Sequence, residues 1–92
     1  MKISKVKVKF YSNARNSLPS LKCGYRPHFV VDEDSEFLGI EFLKLDLQEY
    51  DVYGEAVVKF LYDNVGYHNL TKGVRFNIIE GTTVVGEGYV LE

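Results

Sequence analysis

Lys5-Val6-Lys7-Val8-Lys9-Phe10 alternates without a break, Val6, Val8 and Phe10 on one side and three lysines on the other. That is the period of a strand with one buried face. Residues 12–24, rich in Ser, Asn and Gly around Pro19, read as a loop. A second strand opens at Gly24-Tyr25-Arg26-Pro27-His28-Phe29-Val30-Val31. Pro27 has no amide proton to give a ladder, so it belongs near that strand's start or on an edge.

From Phe37 to Leu47 the apolar positions change phase. Leu38, Ile40 and Phe42 share one parity, and Leu43, Leu45 and Leu47 share the other. A bulge near Phe42-Leu43 reconciles the two and turns the strand round a barrel corner; a short helix is the competing reading. Glu55 to Tyr62 is the next strand, with Ala56, Val58, Phe60 and Tyr62 on one side. Val74, Phe76 and Ile78 alternate with Arg75 and Asn77, and after the polar break Glu80-Gly81-Thr82-Thr83 a last strand runs from Val84 to Leu91. These two pair as a hairpin. Gly86 and Gly88 inside its second strand mark a bulge, a sharp bend or close backbone approach. Six strands, short links and no helix predict an all-β fold, a six-stranded antiparallel Greek-key barrel in one domain over 1–92.

Composition narrows the function classes. The 92 residues hold one cysteine, Cys23, so no internal disulfide can form. No apolar run approaches the roughly 20 residues of a membrane helix. Met1 leads straight into the lysine strand with no secretory segment, so the expected location is cytoplasmic and no membrane partner is expected.

The net charge of −2 conceals a segregation: residues 1–31 carry seven basic side chains and no acid, whereas 32–55 carry nine acids against Lys44 alone. Either this makes a two-signed surface that steers a charged partner, or strands from the two halves lie side by side and pair their charges. A lysine row can hold phosphates, or it can guard a solvated edge.

Candidate chemistry is sparse. His28 could act as a ligand, a base or a recognition group, but no second histidine or carboxylate stands at metal spacing. Asp32-Glu33-Asp34-Ser35-Glu36 lacks the glycine and closing glutamate of a calcium loop. Gly81 and Gly86 have P-loop spacing, but Glu87 stands where the lysine would be, and the segment is a strand. No nucleotide, metal or other cofactor is expected, and no catalytic residue.

Two separated motifs, with a strand between them, carry a family resemblance. Gly24-Tyr25-Arg26-Pro27-x-Phe29, then Ala56-Val57-Val58-Lys59-Phe60-Leu61, then Gly73-Val74-Arg75-Phe76-x-Ile78-x-Glu80-Gly81 followed by Gly86-x-Gly88 span essentially the whole chain. In that order they resemble the C-terminal β-barrel domain of elongation factor Tu, standing here without the GTPase domain. The resemblance implies a barrel that contacts the T-arm of tRNA and protein partners. The tRNA-facing glutamine of the first motif falls at His28, next to Arg26, and the Glu-Gly pair near the tRNA backbone falls at Glu80 and Gly81. Where the family has Arg-Thr-Thr, this chain has Asp32, Glu33 and Asp34, and three carboxylates repel a phosphate. The expectation is therefore a non-catalytic protein-binding module, a small regulator or immunity-type protein, with Arg26, His28, Asp32, Glu33, Asp34, Glu80 and Gly81 facing its partner. The alternative is RNA binding through the basic first third, Lys5, Lys7, Lys9, Arg15, Lys22 and Arg26.

Overall fold

In the computed structural model, which describes residues 3–22, 24–31, 36–62, 67 and 70–92, six strands close a barrel. They are β1 (Ile3–Phe10), β2 (His28–Val31), β3 (Leu38–Asp46), β4 (Gly54–Phe60), β5 (Arg75–Glu80) and β6 (Thr83–Val90). Round the barrel the order is β1-β4-β3-β2-β5-β6, and every neighbouring pair is antiparallel. β2, β3 and β4 form a meander and β1 returns beside β4, which is the Greek-key arrangement. All-β and six-stranded, the fold is the one the hydrophobic pattern predicts.

The core follows the alternation. Val6, Val8 and Phe10 from β1, Phe29 from β2, Leu38, Ile40 and Phe42 from β3, and Phe76 and Ile78 from β5 fill the interior. Phe29 and Phe76 stack with centroids 3.8 Å apart, and Phe42 meets Phe29, Phe10 and Tyr25. The phase change in β3 is a bulge: Phe42 pairs with Val58 and Lys44 with Val57, so Leu43 is the additional residue. Leu43 itself points out to solvent, whereas Leu45 and Leu47 pack against the core.

Gly88 and Gly86 are sites of close backbone approach. A Cβ on Gly88 would lie 2.3 Å from the Lys7 carbonyl oxygen and 2.8 Å from the Phe76 ring. β6 can therefore press against β1 only with glycine there. Gly81 takes a φ of 62° in the two-residue turn between Glu80 and Thr83, a turn for which glycine at the first central position is well suited.

Two details depart from the pattern. The run from Gly24 is strand only from His28 onward, with an isolated bridge from Tyr25 to Phe42, and Pro27 is buried just before the strand begins. β4 ends at Phe60, so Tyr62 does not continue inward; its ring instead lies against Gly39, where an added Cβ would come within 2.6 Å of it.

Candidate functional site

β2 places the expected partner residues. Because Phe29 faces the core, His28 must face outward, and it registers with Gly39 of β3 on one side and Ile79 of β5 on the other. Its imidazole packs against the Phe37 ring at 5.6 Å. Gly39 leaves space on its strand for the Tyr62 ring. Alternation after the inward Phe76 and Ile78 puts Ile79 outside, and the bulge at Val85 of β6 sets Val84 opposite it; Ile79 is buried yet stands outside the core cluster. The outcome is an apolar row across the outer wall, from Tyr62 over Gly39 through His28 and Phe37 to Ile79 and Val84. Tyr62, Phe37 and Val84 expose 58%, 47% and 41% of their surface. Alternation in β5 places Ile79 on this row, whereas Val84 joins it through the bulge at Val85 of β6.

Arg26 lies one outward position before His28. Its guanidinium is 3.6 Å from the Glu41 carboxylate, which Lys59 also approaches to 3.4 Å. Gly81 sits exposed at the tip of the β5–β6 hairpin. Glu80 is tied into the molecule: its carboxylate accepts from the Tyr25 hydroxyl and pairs with the Arg15 guanidinium. Arg15 also donates to the Ser17 carbonyl at 2.8 Å, and its own carbonyl accepts from Tyr50 at 3.4 Å. Burial pushes the Tyr25 hydroxyl up to about 12, with Arg15 pulling the other way, so Tyr25 stays a donor to Glu80 throughout the physiological range. Glu80 is thus the latch that holds the β1–β2 loop over the barrel end. Asp32, Glu33 and Asp34 lie outside the described residues. Of the expected set, then, the structure brings Arg26, His28, Glu80 and Gly81 to one end of the β2–β5 wall.

The lysine row of β1 meets a different setting. Lys7 stands opposite Glu55 and Tyr89, and Lys9 opposite Glu87. Glu87 accepts from Tyr11 at 2.6 Å and Tyr53 at 2.8 Å, and Arg75 approaches it to 3.9 Å. The Tyr11 and Tyr53 hydrogen bonds hold the Glu87 carboxyl below its usual range. Burial and the same carboxylate push Tyr11 up to about 12 and raise Tyr53. Lys9 lies over the Tyr53 ring at 4.9 Å, and Arg75 over Tyr89 at 5.7 Å. The folded barrel therefore sets bases of the first third beside acids of later strands, with Arg15 and Arg26 each in an ion pair.

No family model matches the chain, and no curated protein matches it.

Among the described residues no group of three or more His, Cys, Asp and Glu side chains could hold a metal ion, and no helix is long and apolar enough to cross a membrane. What the His28 wall offers chemically is contact area, with a charged margin at Arg26, Glu41 and Lys59. The ring nitrogens of His28 could add a hydrogen bond at its centre.

Proposed function

We propose that this chain is a non-catalytic binding module that recognises a protein partner through the outer wall centred on His28. The observation that carries the reading is the apolar row itself. Contiguous exposed apolar side chains rimmed by charge mark interaction sites more often than chance exposure, and aromatic residues are enriched at such contacts. Phe37 and Tyr62 would supply the apolar anchors, Arg26 the polar rim. Glu80 would act indirectly, by holding the loop that borders the wall.

The resemblance to the elongation factor Tu C-terminal barrel is compatible with this reading, and the closed six-stranded barrel supports it at the level of fold. On that footing the protein acts in the cytoplasm as a small regulator or immunity-type protein.

A second reading, RNA binding, is favoured by one observation: Lys5, Lys7 and Lys9 project in a row with Tyr53 and Tyr89 nearby, a basic strip with aromatic platforms. It ranks lower because Arg15 and Arg26 are engaged internally and Lys9 is already placed over Tyr53.

The test is capture from lysate by the intact protein and by a Phe37→Asp variant, each with and without nuclease. A protein retained by the intact chain after nuclease and lost by the variant supports the docking wall. Capture that disappears with nuclease and ignores Phe37→Asp would move the function to the lysine row.

A further inference from the structure

Across β3 from His28, the outer faces of β1, β4 and β3 form a concave feature that the docking reading does not use. It is an open groove of about 390 Å³ over the outward Val57, walled by Lys5, Lys44, Asp46 and Glu55, with Leu45 and Ala56 between them turned to the core. The ladder explains its pattern. Val57 of β4 has Lys5 on one side and Lys44 on the other; Glu55, two residues earlier, has Asp46 directly opposite. The bulge at Leu43 puts Lys44 rather than its neighbour beside Val57.

The charges in this groove are unspent. Among the described residues, none of Lys5, Lys44, Asp46 and Glu55 makes an ion pair within 4 Å, although both signs are present and all four are exposed. Lys7 also registers with Glu55 without pairing to it. Like charges directly opposite on neighbouring strands destabilise a sheet, and sequences tend to break such local rules where a site requires it. The groove's volume is of the order that small ligands occupy.

We propose that this groove binds a short zwitterionic peptide along β4, its ammonium between Asp46 and Glu55 and its carboxylate between Lys5 and Lys44. The spacing selects the length. Two residues along a strand advance about 7 Å, and an extended dipeptide has the same reach of about 7 Å. Val57, between the two lysines, offers the peptide's carboxyl-terminal residue an apolar contact.

Titration of the full chain with alanyl-alanine, followed by backbone amide NMR, tests this. Saturable shifts in the millimolar range are expected, concentrated at residues 44–46 and 55–57. Acetylating the dipeptide's amino end, or amidating its carboxyl end, should each weaken binding about threefold, the scale of one exposed ion pair. Lys44→Gln should reduce the penalty for amidation, with Lys5 keeping part of it, and leave that for acetylation; Glu55→Gln should do the reverse, with Asp46 keeping part. Both side chains are exposed, so the variants should fold as the parent does. Overturning results are no saturable shift at tens of millimolar, equal binding of the capped dipeptides, or shifts that sodium chloride reproduces alone. The first leaves the groove a solvated surface, the second makes the contact only apolar, and the third makes it an ionic response. None of these outcomes touches the His28 wall, so the two proposals fail separately.

Discussion

The β1–β6 wall and the β2–β3–β5 wall are built from the same alternation, yet they end in opposite states. On the first, one carboxylate, Glu87, gathers Tyr11, Tyr53 and Arg75, and Lys9 lies over Tyr53. Glu87, Arg75 and Lys9 are engaged by neighbours there, whereas Lys5 and Lys7 form no ion pair among the described residues. On the second, the outward positions include His28, Gly39, Ile79 and Val84, and the His28 and Phe37 rings contact each other while Phe37 still presents area to solvent. A polar wall with internal partners has little left to offer a ligand. An apolar wall gains by being covered, at about 25 cal/mol per Å² of apolar surface removed from water. On the proposed reading, a count of lysines in the first third is not enough: what matters is which groups the fold leaves unsatisfied.

That contrast can be broken from either side. The largest expected effect is at Gly88, where alanine would put a Cβ 2.3 Å from the Lys7 carbonyl. Separating β6 from β1 should cost about 1–3 kcal/mol, read as a lower urea midpoint with unchanged slope. Arg15→Ala comes next. It leaves Glu80 half-buried with Tyr25 alone, and should cost about 1–2 kcal/mol; hydrogen exchange should quicken in residues 11–22.

Glu87→Gln should cost about 1 kcal/mol, discounted because the Glu87 side chain is 31% exposed. It should also change the pH profile. Glu87 is held below its ordinary value in the folded chain, so its contribution is present above the unfolded value and lost as pH falls through the lower folded one. The variant should therefore lose less stability on acidification than the parent, measured as urea midpoints between neutral pH and pH about 3. If both lose the same, the polar hub is not what organises the β1–β6 wall. The smallest effect belongs to the other side. Phe37→Ser should change stability by no more than about 0.5 kcal/mol, because Phe37 lies outside the core cluster, while removing partner capture.

Much of the fold was legible before any coordinates. The β1 alternation, the β3 bulge and the two β6 glycines each have a local physical cause, and local causes are what a sequence displays. The site was less legible. Glu80 bonds to Tyr25 and Arg15, 55 and 65 residues away, so nothing beside it in the chain distinguishes a latch from a partner contact. Tyr62 kept the parity of Ala56 and Val58 but lies past the end of β4, free to fold over Gly39. Val84 faces outward opposite Ile79 only because Val85 is an extra residue in β6, which the alternation of β6 by itself does not display. In each case a distant partner, the strand's end or a bulge decides the meaning, and none of these is visible in the local pattern.

The most direct test is a hydrogen-exchange footprint of the complex between this chain and whatever protein it retains after nuclease treatment. Protection is predicted at residues 28–31, 37–40, 77–79 and 84, with exchange at residues 5–9, 53 and 87–89 unchanged. Protection confined to the second set would contradict the account and place recognition on the lysine wall.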